Sequence, residues 1–459
     1  MRSPRLTAAL AGPVALALAL TACSAAGVPG ASGVRDPYFP KMGNGGYDAT
    51  HYSLTLDYDP HRLTGTAEIT ARATQDLSAF NLDLKGMTVG RVTVDGRKAR
   101  VERAGHKLTV RPDGPLRKGA TFRTVVPYSG SPETITDPDG SEEGWLPTKD
   151  GVLALGEPTG SMAWFPGNHH PSDKATYDIH VTVPQGLEAV SNGELARRRT
   201  VDGRTTFDWH TAQPMASYVA MVAIGRFDIK AYKTPDGLPV YTAVNPDVAD
   251  ASAAVMARIP DVIAWETKTF GPYPFSSTGA VIDRDGDSGY ALETQNRPVF
   301  PGTPELPTLV HELAHEWYGD SVTPKSWRDM WLNEGFATYG EWLWEEQHDG
   351  DSAQESFDHY YAKDADDPIW AFPPGKPSGA AHISDPPVYQ RGAMVLHKIR
   401  ETIGDARFFA LLKSWPAAHR YGNADTADFT AYVEKQNPGK DLRPVWDDWL
   451  YGNGKPDHP

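Results

Sequence analysis

His311-Glu312-Leu313-Ala314-His315, followed by Trp331-Leu332-Asn333-Glu334-Gly335-Phe336-Ala337, is the stretch on which the reading of this chain turns. Two histidines four apart on a helix project from one face, one turn above the other, so both imidazoles can reach a single ion. Glu334 lies nineteen positions beyond His315, in a second apolar-periodic run from Met330 to Trp344 that also reads as a helix. Packing the two helices together brings the carboxylate to the histidine pair. The set of two histidines and one carboxylate suits zinc, and three protein ligands leave the fourth tetrahedral position for water. Glu312 points beside that water instead of at the metal, so it can accept the proton as the water attacks a carbonyl. A solvated helix face is the plain alternative, but it has no need of Trp327, Trp331, Phe336 and Tyr339 around the second run.

The longer pattern runs from His311-Glu-Leu-Ala-His315-Glu-Trp317-Tyr-Gly319-Asp320 through Trp327 to Trp331-Leu-Asn-Glu334-Gly-Phe-Ala-Thr-Tyr339. It resembles the gluzincin aminopeptidases of zinc peptidase family M1, related to aminopeptidase N and leukotriene hydrolase. The resemblance implies one zinc ion per chain, removal of N-terminal residues from peptides, and a thermolysin-like catalytic domain. Tyr389, in Pro387-Val388-Tyr389-Gln390-Arg391-Gly392, matches the family's tyrosine followed three residues on by glycine at a helix start, which implies a hydroxyl donor for the oxyanion. Two acids are implied as binders of the substrate's free ammonium group. Glu293 stands in Gly289-Tyr290-Ala291-Leu292-Glu293-Thr294, similar to the family's Gly-x-Met-Glu-Asn strand but with Tyr290, Leu292 and Thr294 departing from it. That segment is expected to be an edge strand able to pair with substrate main chain. Glu157 stands in Leu155-Gly156-Glu157-Pro158, similar to the family's Gln-x-Glu-Pro loop with Leu155 in place of glutamine; an exposed loop acid is the alternative.

At 459 residues the chain is long enough for two or three domains. Lysine plus arginine number 44 against 59 acids, and the net charge of −15 argues against nucleic acid as a partner. The first 22 residues have the layout of a secretory signal, with Arg2 and Arg5 ahead of an apolar run from Leu6 to Leu20. It ends Leu20-Thr21-Ala22-Cys23, and Cys23 is the single cysteine, so no disulfide can form within the chain. That run resembles a bacterial lipobox, implying cleavage before Cys23 and a lipid anchor on its thiol at the extracytoplasmic face of the membrane. The alternative is a stray cysteine in a discarded signal peptide.

Residues 23–45, rich in Gly, Ala, Ser and Pro, read as a flexible tether. From Tyr47 short alternating runs punctuated by Asp-Gly pairs describe an antiparallel β domain over 46–232. Beyond it, 233–459 reads as a mixed α/β catalytic domain, with helices expected over Ala249–Phe270, Met330–Trp344, Val388–Gly404 and Ala406–Trp415. The fold class is thus α+β and multidomain, and the long helical C-terminal domain of the family's larger members is expected to be absent. His169 and His170, in a Gly/Asn/Pro loop, read as solvated; Asp283 to Asp287 reads as a turn, since a calcium loop would need a bidentate Glu at its twelfth position. Trp342, Trp344, Trp446 and Trp449 read as core.

The functional expectation is an extracytoplasmic, lipid-anchored zinc aminopeptidase acting on peptides with free N-termini. An endopeptidase or general oligopeptidase with an open site stays beside it, epoxide hydrolysis is a more distant possibility, and a non-catalytic surface lipoprotein is the alternative of another class.

Overall fold

The computed structural model describes residues 27–284, 286 and 288–459; the signal-like segment and Cys23 lie outside them, as do Asp285 and Asp287 of the expected turn. The N-terminal domain is built on a nine-stranded sheet whose centre is Lys174–Pro184, Tyr47–Asp59, Arg62–Ala73 and Thr121–Gly130 in that order. Alternation along Tyr47–Asp59 buries Tyr52, Leu54, Leu56 and Tyr58, as a one-sided strand requires. A register shift at Ala49/His51 resets the phase so that Tyr47 and Ala49 are buried as well. Lys174–Pro184 runs parallel to Tyr47–Asp59 and antiparallel to Arg204–Ala216. A separate five-stranded sheet, Thr134–Thr136, Glu142–Pro147, Val152–Leu155, Val222–Gly225 and Glu188–Ser191, carries the loops that reach the site.

The catalytic domain has a four-stranded sheet, Asp228–Lys233, Pro239–Val244, Thr278–Ile282 and Val299–Phe300, and eight α-helices among the described residues. These are α1 (Ala249–Met256), α2 (Ile259–Phe270), α3 (Leu306–Ala314), α4 (Trp331–Gln347), α5 (Ala353–Tyr361), α6 (Gly392–Ile403), α7 (Asp405–His419) and α8 (Thr426–Gln436). The helix expected over Ala249–Phe270 is two, broken ahead of Pro260, and it stops at Gly271 as anticipated. Asp228–Lys233, expected to close the N-terminal domain at 232, pairs instead with Pro239–Val244 as the edge of the catalytic sheet. Trp342, Trp344, Trp446 and Trp449 are buried, as read from their spacing. No helix among the described residues is long and apolar enough to cross a membrane.

Two further expectations about the N-terminal region are corrected. Residues 27–45 are no tether: Val28–Pro29 pairs with Leu77–Asp83, and Asp36, Met42 and Asn44 are buried. Asp36 accepts from the backbone of Tyr38 and Phe39 and, across the domain boundary, from Ser326 Oγ and Trp327 N at 2.9 Å each. Burial acts to raise its carboxyl, but His170 and the backbone donors outweigh this and hold it down at about 2. His169 and His170 are likewise not solvated; each is 3% exposed, with Nε2 of His169 donating to Phe165 O and His170 paired with Asp36. Their loop is covered by the neighbouring domain and the N-terminal segment, which local composition does not report.

Candidate active site

Helix α3 begins with Leu306-Pro307, where proline costs no hydrogen bond, and presents Leu309, Val310 and Leu313 to the core. His311 lies in its last turn and His315 at its C-cap, still right-handed helical at φ −59°, ψ −24°, so the four-residue spacing keeps both rings on one side. Helix α4 packs on α3 and brings Glu334 Oε2 to 3.2 Å from His311 Nε2 and 3.4 Å from His315 Nε2. The three ligand atoms lie within 4.8 Å of one another.

The donor set fits zinc on the evidence of its outer partners. His311 Nδ1 is held by Glu341 Oε1 at 2.6 Å and His315 Nδ1 by Tyr318 O at 3.0 Å. With Nδ1 donating, both Nε2 lone pairs turn toward the shared point, the arrangement expected behind metal-bound imidazoles. Glu341 was missed from sequence, although it lies two turns after Glu334 on the same face of α4, a spacing that could have found it. Burial would lower the two imidazoles, yet Glu334 and Glu341 raise His311 well above its ordinary range, and Glu334 and Glu293 raise His315 to about 9. Burial likewise acts to raise Glu334, and the two imidazoles overrule it and hold the carboxylate at about 2.

Glu312, 7% exposed, is pushed up to about 7 by burial, with His311 and His315 pulling the other way. That places it near the value a general base needs at neutral pH. Tyr389 stands in a π-helical turn, Pro387–Arg391, ahead of α6, and its ring stacks on His311 with centroids 6.0 Å apart and planes at 14°. Arg391 fixes this turn: fully buried, it donates to the carbonyls of Phe372, Asp448, Trp449 and Gly452. Gly335 and Gly392 let α4 and α6 meet, since a Cβ on Gly335 would lie 2.9 Å from the Gly392 carbonyl carbon. Glu334 and Tyr389 are therefore registered against each other through two glycines.

Glu157 and Glu293 are brought together, as expected, with Glu334 within reach of both. Glu157 Oε2 and Glu293 Oε1 are buried and meet no donor. Burial first, then each other's charge and that of Glu334, raises Glu157 well above its ordinary range. The turn after Glu157 is held by Glu143, a residue sequence reading passed over, whose carboxylate accepts from Thr159 N and Thr159 Oγ1. The Glu293 segment is not the edge strand expected: only Leu292 pairs, in a single antiparallel bridge to Val299. Glu157, Glu293, Glu312, Tyr389 and the His311, His315 and Glu334 set line one cavity of about 670 Å³ between the domains.

A two-helix centre of two histidines and a glutamate, opening on a cavity capped by a β domain, is the architecture of the zinc metallopeptidases. Within that class the chain belongs to peptidase family M1: the M1 N-terminal domain matches residues 48–219 and the family M1 domain residues 305–449. It is 24% identical over 441 residues to tricorn protease-interacting factor F2 of Thermoplasma acidophilum, covering 88% of this chain and 53% of that protein. It is 26% identical over 328 residues to glutamyl aminopeptidase of Bos taurus, covering 63% of this chain and 33% of that one. The chain thus spans about half or less of these curated relatives. Among solved structures it is similar to the M1 zinc metallopeptidase of Deinococcus radiodurans, with TM-score 0.84, 29% identity and coverage of 92% of this chain and 97% of that one. A mutant of that enzyme bound to a Tyr-Ser-Ala substrate matches equally, with TM-score 0.84 and 98% of its chain covered.

Proposed function

We propose that the protein is a zinc-dependent aminopeptidase that removes N-terminal residues from peptides. The observation that carries this reading is the pair Glu157 and Glu293, each with a buried carboxylate oxygen that meets no donor, beside the His311, His315 and Glu334 set. An α-ammonium group supplies the missing donors and neutralises two like charges at once. When bound by His311, His315 and Glu334, zinc supplies Lewis-acid activation of water and of the substrate carbonyl. Anchoring the ammonium limits how far the peptide enters, so its first peptide bond is presented to Glu312 and Tyr389 in the same cavity. Glu312 accepts the proton of the attacking water and hands it to the leaving amine. The Tyr389 hydroxyl donates to the carbonyl oxygen as it gains negative charge.

Comparing free peptides with their N-acetylated forms tests the reading. Blocked peptides should resist cleavage; equal cleavage of both would discard the exopeptidase and leave an open-site oligopeptidase. We also propose, on the sequence Leu20-Thr21-Ala22-Cys23, that the protein is exported and held on the extracytoplasmic face of the membrane by lipid on Cys23. Incorporation of labelled palmitate that is lost in Cys23→Ala supports this, and its absence from the wild type refutes it.

A further inference from the structure

The cavity wall carries a further buried acid that the peptide-bond chemistry does not use. Asp137 opens the tight turn between Thr134–Thr136 and Glu142–Pro147, its N–H donating to Ser141 O and its carbonyl accepting from Gly140 N, both at 2.9 Å. It is 8% exposed and lines the cavity, yet no donor among the described residues reaches its Oδ2. Its neighbour Glu143 can relieve it only by sharing a proton, as two acids side by side do. Both oxygens of Glu143 are turned to Thr159, and it is an acid itself. Burial, and then the charge of Glu143, accordingly raises Asp137 far above the usual carboxylate range.

Tyr290 contributes a second polar atom without a partner. Its hydroxyl oxygen is buried and unbonded, and it lines the same cavity. Burial and then Glu143, Glu157, Asp137 and Glu293 raise it, so the hydroxyl lies within electrostatic reach of both acid pairs. No lysine or arginine among the described residues lines this cavity, whereas Asp139 and Glu142 add further negative charge beside Asp137. Leu146 and Leu292 provide apolar wall for methylene groups.

We propose that Asp137, with the Tyr290 hydroxyl on the wall of the same cavity, is the specificity-determining residue for the side chain of the substrate's first residue, and that the side chain selected is a long cation, arginine or lysine. This rests on the aminopeptidase reading, in which Glu157 and Glu293 hold the α-ammonium. A guanidinium or ammonium at Asp137 brings donors together with the positive charge that allows the Asp137 and Glu143 pair to ionise, while a neutral side chain of the same length cannot compensate that charge.

The test compares arginyl with citrullinyl amide substrates, which match in shape and differ in charge, on the zinc-loaded protein and on Asp137→Asn and Tyr290→Phe. Wild type should favour arginine in kcat/KM by at least about tenfold, a threshold well below the roughly 10⁴-fold by which sites built for a polar group can reject its absence. Asp137→Asn should bring the two substrates to within about threefold of each other, and Tyr290→Phe should shrink the preference by a smaller factor. Thermal melting and zinc content establish that the variants are folded and loaded. Equal treatment of the two substrates by wild type, or an undiminished preference in Asp137→Asn, overturns the proposal. Should wild type hydrolyse neither amide, calorimetric binding of free L-arginine against L-citrulline decides. Tighter arginine binding that Asp137→Asn abolishes upholds this assignment while the aminopeptidase reading falls, and equal binding rejects it.

Discussion

Replacing Glu312 by Gln keeps the side chain's size while removing its charge and basicity, and the position of Glu312 gives the change two opposite consequences. Without a group to accept the proton, kcat should fall by about 10²- to 10⁴-fold, or about 3 to 5 kcal/mol of transition-state stabilisation, with zinc retained by His311, His315 and Glu334. The metal-free fold should become more stable. Burial raises Glu312 from 4.5 to about 7. Between those values the folded state binds more protons than the unfolded chain, so stability falls as pH rises through the window and stays low above it. The shift corresponds to about 3 kcal/mol above pH 7, disappearing as the pH drops toward 4.5. Glutamine does not titrate and escapes this destabilisation. Urea unfolding of chelator-treated wild type and Glu312→Gln from pH 4.5 to 8.5 measures one effect; turnover of an unblocked aminoacyl amide, with zinc content determined by mass spectrometry, measures the other. A variant that carries one zinc per chain and keeps more than about a tenth of wild-type kcat refutes the assignment of the base. A metal-free variant no more stable than wild type at pH 8 refutes the energetic argument.

Other perturbations are read from the same geometry. Tyr389→Phe keeps the ring stacked on His311 and deletes one donor, so kcat should fall about 10²- to 10³-fold with zinc content unchanged. Gly335→Ala forces a methyl group to 2.9 Å from the Gly392 backbone, which should destabilise the fold by about 1–3 kcal/mol in thermal or urea unfolding and lower kcat by separating Glu334 from Tyr389. Asp36 is held down from 3.8 to about 2, so its contribution of about 2.5 kcal/mol is present above pH 3.8 and is lost as pH falls through about 2. Asp36→Asn should therefore be less stable than wild type by about that amount at pH 7, and the gap should close on acidification.

The residues legible in the sequence are those whose spacing the chemistry dictates. His311 and His315 must be one helical turn apart to share an ion, and the apolar rhythm from Met330 to Trp344 betrayed the helix that delivers Glu334. Tyr389, Glu293 and Glu157 were found through matched motifs and do converge on one cavity. What stayed hidden depends on partners remote in the chain. The Gly- and Pro-rich residues 27–45 look like a linker because their order comes from Asp36 meeting Ser326 and Trp327, almost 300 positions away. His169 and His170 are polar by local context and buried by tertiary cover. Asp137 and Glu143 lie in a hairpin with no distinguishing motif, and only the fold puts Asp137 on the cavity of Glu157 and Tyr290 and Glu143 against the turn at Thr159.

The site is short of positive charge until something binds, and this links stability to occupancy. Glu157, Glu293, Glu312 and Glu334 are grouped with two imidazoles as the nearest compensation, and His315 keeps a proton up to about 9 because of it. A divalent cation replaces that proton and neutralises the carboxylates together, so binding releases protons and weakens as the pH falls. Zinc present at about a thousand times its dissociation constant should add about 4 kcal/mol to the unfolding free energy. Chelation should lower the melting temperature correspondingly, and Glu334→Gln should lose most of the difference because one ligand and one charge go together. The measurement is scanning fluorimetry across a zinc and chelator series at pH 7.5 and pH 6, with the larger zinc-dependent shift expected at the higher pH. A melting temperature indifferent to chelator would mean that the buried carboxylates are balanced within the protein and that the His311, His315 and Glu334 cluster is not a metal site.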